Sequence, residues 1–233
     1  MLSTEQPIPD EGEVILIDKP LTWTSFDVAN KLKRACKFKK IGHAGTLDPL
    51  ATGLLILCTG KKTKQIDQYQ AQEKEYTGTL ILGKTTPSID LETEFDAEFP
   101  TEHIDQALMD EARAKLTGQI EQTPPIFSAV KVDGERLYKK ARRGETAEIK
   151  KRVVTISTFE IDTTDFPAIH FRIVCTKGTY IRSMVRDFGT LVGSGAYLAA
   201  LRRTRIGDFS VEQATDLTAF IQAKRAELNL PTE

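Results

Sequence analysis

The sequence predicts an α+β fold built around a largely antiparallel sheet, and three observations carry that prediction. Segments with period-2 and period-3.6 hydrophobicity alternate irregularly, without the βαβα beat that a doubly wound parallel sheet requires. Two strand-like runs, residues 153–161 and 168–175, are separated only by a turn region at 162–167, the spacing of an antiparallel hairpin. With 233 residues, 40% hydrophobic and 28% charged, the chain suits one soluble globular domain or one domain plus a modest appendage.

The elements follow in chain order. Residues 13–18 (EVILID) read as a strand, ended by Lys19-Pro20 because proline cannot donate to a ladder. A helix follows, with Thr24 or Ser25 as N-cap and a stripe of Phe26, Ala29, Leu32 and Cys36 at three- to four-residue intervals. Residues 42–53 read as a loop rich in turn formers. The apolar run 54–58 fits a short buried strand or a helix segment, its flanking glycines leaving the type open. Residues 74–82 alternate as a strand, and the acidic stretch 85–100 reads as an exposed excursion. Ile104, Leu108, Ala112 and Leu116 mark a helix closed by Gly118, and Thr123-Pro124-Pro125 breaks the chain. After the hairpin come an amphipathic helix on Ile181, Met184, Val185, Phe188, Leu191 and Val192, and a last helix over about 217–228.

Several function classes are excluded early. The longest apolar stretch, 53–58, is far short of the roughly 20 residues that span a bilayer. The N-terminus lacks the basic and apolar regions of a secretory signal, so a cytoplasmic protein is expected. Cys36, Cys58 and Cys175 lie far apart with no C-x-x-C, and His43, His103 and His170 have no His or Cys at ligand spacing. Three buried thiols, no metal and no cofactor are therefore expected. Gly60-Lys61-Lys62-Thr63 fails as a phosphate loop, since Leu55 and Lys62 stand where that motif needs Gly and Ser or Thr.

Formal net charge is only −1, yet the charges are segregated. Residues 31–64 hold nine Lys and Arg against Asp48 alone, and 172–205 hold seven against Asp187 alone. A third basic cluster comprises Lys139, Lys140, Arg142, Arg143, Lys150, Lys151 and Arg152, while 88–121 carries ten acids against Arg113 and Lys115. Basic faces interleaved with Gly-rich motifs favour a polyanion partner, because cations that neutralise phosphates release counterions.

Two segments can carry chemistry. GHAGTLDPLATGLL, residues 42–55, packs three glycines, a histidine and a lone carboxylate into a cationic region. Asp48-Pro49 reads either as a turn or helix start, or as a carboxylate held ionised by a neighbouring cation, as a carboxylate nucleophile requires. CTKGTYIRS, residues 175–183, runs from a strand end into a helix start, where backbone N–H groups and an arginine meet an anion.

These two segments, together with DKP at 18–20, KEY at 74–76, PPIFSAVKVDGERLYKKARRGE at 124–145 and LRRTRIGDFS at 201–210, resemble the TruB family of tRNA pseudouridine synthases. The motifs stand in the family's order and cover nearly the whole chain. The resemblance implies an N-terminal tail, 1–12, followed by a single pseudouridine-synthase-type catalytic domain, 13–233, whose central mixed sheet is flanked by helices and loops. It implies isomerisation of uridine 55 in the TΨC arm of tRNA, through base flipping and without a cofactor.

Position by position, Asp48 matches the catalytic aspartate and Arg182 the arginine that pairs with it. Tyr76 matches the aromatic residue that stacks on the target base and a candidate for proton removal at C5. His43, Tyr180 and Leu201 match residues lining the uridine pocket, and Lys19 with Pro20 a structural or pocket-supporting motif. Phe127 stands where the family often has Tyr, and the chain stops at Glu233, where longer relatives carry a PUA-type RNA-binding domain. Phosphate contacts are expected from cations in 31–40, 61–64 and 202–205. The alternative is a non-catalytic tRNA-binding or RNA-folding protein, which would have little physical reason to retain Asp48, Tyr76 and Arg182 together. A carboxylate-nucleophile glycosidase is disfavoured by the basic faces and by the lack of an evident partner carboxylate.

Overall fold

The computed structural model describes residues 11–128, 130–132, 134–145 and 148–231. The expected tail, 1–12, lies outside these except for residues 11 and 12. Eight main strands are β1 (Val14–Lys19), β2 (Ile41–His43), β3 (Ala51–Thr59), β4 (Lys74–Leu82), β5 (Gly118–Gln122), β6 (Arg152–Asp162), β7 (Ala168–Cys175) and β8 (Ala196–Ile206). The α-helices among the described residues are α1 (Ser25–Ala35), α2 (Ile66–Ala71), α3 (Gln106–Lys115), α4 (Leu137–Arg142), α5 (Ile181–Leu191) and α6 (Leu217–Glu227). The α+β class is as the sequence predicted. Contacts divide the chain into two compact units, 1–74 with 202–233, and 75–201, so β4 and β8 carry the chain from one unit into the other.

In the first unit β3 lies between β1 and the 202–206 half of β8, with β2 on its edge. β1 pairs antiparallel with β3, from Val14 opposite Cys58 to Lys19 opposite Gly53, while Thr215–Asp216 adds a short parallel neighbour to β1. The run that left strand and helix open is therefore a nine-residue strand. Its apolar continuity has a simple cause: both faces are covered. Leu55 and Leu57 join Ile15, Ile17, Val28, Leu32, Leu217 and Ile221 beneath α1 and α6, whereas Leu54, Ile56 and Cys58 pack with Ala44 and Ile206 on the other face.

Helix α1 starts at a capping box in which the Thr24 hydroxyl accepts from the Asp27 N–H and the Asp27 carboxylate accepts from the Thr24 N–H, worth about 1 kcal/mol. Its buried stripe is Ser25, Val28, Ala29, Leu32 and Ala35. Phe26, expected in that stripe, is 66% exposed. Ala29, Leu32 and Cys36 are buried as expected, and in the first turn Ser25 takes the inward place expected of Phe26.

In the second unit the order is β5, β6, β7, β4 and the 196–201 half of β8. β6 and β7 form the expected antiparallel hairpin. Helices α3 and α5 cover this sheet through Met109, Ala112, Met184, Val185 and Phe188, with Phe188 edge-on to Phe159 at 6.0 Å between centroids. Such a ring pair adds about 1 kcal/mol beyond area burial. The acidic stretch 85–100 is only partly the exposed excursion expected. Thr86, Ser88, Ile89 and Asp90 are buried, and Leu91 to Pro100 lies largely at the surface.

β8 was not foreseen. Its LRRTR segment, with three arginines, reads as a source of phosphate contacts, but the strand lies within the sheet and Arg203 is 1% exposed.

Candidate active site

Asp48 sits in the 44–50 loop between β2 and β3, half-buried. The Asp48 carbonyl accepts the Ala51 N–H at 3.0 Å, so Asp48-Pro49 makes a turn into a strand and not a helix start. Three side chains fix this loop from the first unit. The Ser25 hydroxyl accepts from the Leu47 N–H at 2.9 Å and donates to the Leu47 carbonyl at 3.3 Å. The Lys19 ammonium, fully buried, donates to the Pro20, Trp23 and Pro49 carbonyls at 2.8, 2.5 and 3.3 Å. Arg203 donates to the Leu54 carbonyl at 2.8 Å and to the Gly45 carbonyl at 3.1 Å. The Asp48 loop is thus held by side chains from before and far after the motif that contains it.

The charges here interact. Burial pushes the Lys19 ammonium down to about 8, with the Asp48 carboxylate opposing and the Arg203 charge adding to the fall. His43, half-buried at the end of β2, is held below the ordinary imidazole range by burial first and the Arg203 charge second, against a hydrogen bond with the Gly45 backbone. His43 therefore stays neutral at pH 7 and can donate or accept. Burial pushes the Cys58 thiol up to about 11, and all three cysteines are buried.

Lys19 has a measurable signature. Because its folded-state value lies below the ordinary lysine value of 10.5, the unfolded chain binds the proton more tightly, and folding bears a cost at pH 7 that disappears as pH rises from 8 through 10.5. The unfolding free energy of the wild type should gain about 2 kcal/mol relative to Lys19→Met between pH 7 and pH 10. Urea unfolding at the two pH values reads this, and parallel pH curves for the two proteins would refute it.

The remaining sequence-derived site residues lie in the second unit. Tyr76 is buried in β4, on the face shared with Leu80 and Leu82, and Leu201 is buried in β8. Tyr180 precedes α5, its N–H donating to the Gln122 side chain at 2.7 Å while the Gln122 amide donates back to the Tyr180 carbonyl at 3.1 Å. Arg152 lies over the Tyr180 ring at 5.2 Å. Two residues on, Arg182 is 4% exposed; it donates to the Ser88 carbonyl at 3.0 Å and the Phe127 carbonyl at 2.8 Å, and its Nε stands 3.6 Å from the Asp90 carboxylate.

Sequence reasoning did not single out Arg203, Asp90 or Gln122. Only Arg203 left a trace: Gly53, inside an apolar strand, marks the close approach of another backbone. A Cβ there would collide with the Arg203 carbonyl. Among the phosphate contacts expected at 202–205, the one at Arg203 needs correction. Arg203 is buried; Arg202 donates to both Asp18 oxygens, at 3.0 and 2.6 Å; and Arg205 donates to Glu73 at 3.0 Å. Cations that remain at the surface of the first unit include Lys33, Arg34, Lys37, Lys39, Lys40 and Lys64. Among the described residues no His, Cys, Asp and Glu cluster suits a metal ion, and no helix is long and apolar enough to cross a membrane.

An α+β fold with this motif order defines a class, the pseudouridylate synthases, which isomerise uridine within RNA. Residues 33–181 match the model of the TruB family pseudouridylate synthase N-terminal domain, and the chain belongs to that family. It is 58% identical over 217 residues to tRNA pseudouridine synthase B of Flavobacterium johnsoniae, covering 90% of this chain and 95% of the relative. With the protein of the same name from Chloroherpeton thalassium it shares 47% over 217 residues, 91% of this chain and 90% of the relative. Among solved structures, a chain from a crystal structure of a Cbf5-Nop10-Gar1 complex is similar with a TM-score of 0.70 and 28% identity. That match covers 94% of this chain, which spans 57% of the solved one.

Proposed function

We propose that this protein converts uridine 55 in the TΨC arm of tRNA to pseudouridine in the cytoplasm, with Asp48 as the nucleophile. The observation that carries this reading is a carboxylate in a family-specific loop, locked by Lys19, Ser25 and Arg203 and flanked by cations. The reaction breaks the N1–C1′ bond, turns the base and joins C5 to C1′; the C5 hydrogen leaves as a proton and N1 gains one, so no redox partner is needed. Attack at C1′, assisted elimination to a glycal, and addition at C6 all use an ionised Asp48.

Tyr76, Tyr180, Leu201, His43 and Arg182 are proposed to receive the extruded uridine, on the strength of their motif positions. Extrusion costs a few kcal/mol, which stacking on Tyr76, worth about 1–3 kcal/mol, and phosphate contacts offset. Lys19, whose ammonium is spent on three carbonyls of its own chain, supports the pocket by positioning the Asp48 loop. The surface cations of α1 and of 37–40 and 64 supply sequence-independent affinity for RNA phosphates.

Tritium release from an unmodified tRNA transcript labelled at uridine C5 tests the reading. The expected result is release of one tritium per tRNA, with pseudouridine mapped to position 55. Binding without release would favour a non-catalytic RNA-folding protein.

A further inference from the structure

We infer that Arg203 is a positioning residue for the Asp48 loop, acting as a buried two-carbonyl clamp and not as an RNA contact. The inference rests on the reading of Asp48 as the nucleophile and gives Arg203, which that reading leaves as one of several basic residues in the 201–210 motif, a role of its own.

The geometry is specific. Arg203 lies in the second half of β8, against β3, and is 1% exposed. One end of its guanidinium is anchored on the rigid part of the unit, the Leu54 carbonyl of β3, at 2.8 Å. The other reaches the Gly45 carbonyl, three residues before Asp48, at 3.1 Å. A planar fork with several fixed donors spans two acceptors in a set geometry, which a lysine ammonium on a flexible stem cannot reproduce. Two glycines make room for it. Gly53 lets the backbone of β3 lie directly on that of Arg203, and Gly45 adopts φ +90° with the position of a Cβ 3.5 Å from the Arg203 Nη1.

The clamp also carries charge into the site. The Arg203 charge lowers the proton affinity of both His43 and Lys19, so one buried side chain sets the loop position and keeps its neighbours less protonated. A surface arginine doing no more than gripping RNA would do neither.

Arg203→Lys and Arg203→Met, assayed by single-turnover tritium release and by equilibrium tRNA binding, test the clamp. We expect the rate constant to fall about 100-fold in each, with tRNA affinity within threefold of the wild type. In Arg203→Met the His43 imidazole, followed by NMR, should titrate at higher pH than in the wild type. A folded Arg203→Lys with a wild-type rate would overturn the inference; so would parallel loss of rate and affinity, which would make Arg203 an RNA contact. If these variants do not fold, Gly45→Ala strains the other end of the clamp, and a wild-type rate there overturns the inference equally. Asp48→Asn run alongside separates the two levels. If it retains activity, the nucleophile reading fails; if it is inactive while the Arg203 variants are fast, only the clamp fails.

Discussion

Replacing Asp48 by Asn is expected to abolish turnover, lowering single-turnover tritium release by at least about 10⁴-fold, while tRNA affinity stays within about tenfold. The asymmetry follows from the site. Asn matches Asp in size, and the anchors at the Leu47 backbone, the Pro49 carbonyl and the Gly45 carbonyl remain in place. What disappears is the charge, and with it the ionised carboxylate that all three proposed routes use. Lys19, whose protonation the Asp48 carboxylate supports, should become still easier to deprotonate. Tritium release and filter binding on the same preparation decide the matter, and a fall in affinity that matches the fall in rate would refute the assigned role.

The second large effect concerns Arg182. Arg182→Met should destabilise the protein by about 3–5 kcal/mol, because it strands the Asp90 carboxylate, itself 5% exposed at the side chain, without its counter-charge. On the proposed role of Arg182 in receiving the uridine, it should also lower the isomerisation rate by about 10²–10³-fold, the usual cost of removing a fixed positive group that stabilises a transition state. Stability and chemistry are separable through a double variant. Arg182→Met with Asp90→Leu removes both buried charges, so denaturant unfolding should recover most of the lost stability while tritium release stays low. A double variant that recovers both would mean that Arg182 only holds the 86–90 segment in place.

Ion pairs of this kind explain why the 85–100 segment misled the sequence reading. Asp90 reads like its solvated neighbours because nothing within the segment reveals Arg182, more than 80 residues downstream. The α5 guanidinium donates to the Ser88 carbonyl and faces the Asp90 carboxylate, partners that let these two polar residues stay buried.

Other features were legible because they are local. Thr24 and Asp27 start α1, the 162–167 turn closes the hairpin, and the period of α5 displays Met184, Val185 and Phe188 as its buried side. The GHAGTLDPLATG loop was legible as chemistry through its resemblance to the family's motif, since the residues alone left Asp48-Pro49 open between a turn or helix start and a held carboxylate. By contrast, the apolar run of β3 could not declare itself strand or helix, since burial on both faces erases the alternation that identifies a strand.

The sequence alone therefore determined the α+β class, the family, the loop that holds Asp48 and the start of α5 that presents Tyr180 and Arg182. Tertiary structure alone decided the fate of the long-range charges: Lys19 beneath the loop, Arg203 clamped between Gly45 and Leu54, Arg202 on Asp18, Arg205 on Glu73 and Arg182 beside Asp90. The physical reason is one of range. Capping, turns and periodicity act over a few residues and are written in adjacent letters, whereas a lysine or arginine reads the same in sequence whether water or a distant carbonyl takes its hydrogen bonds.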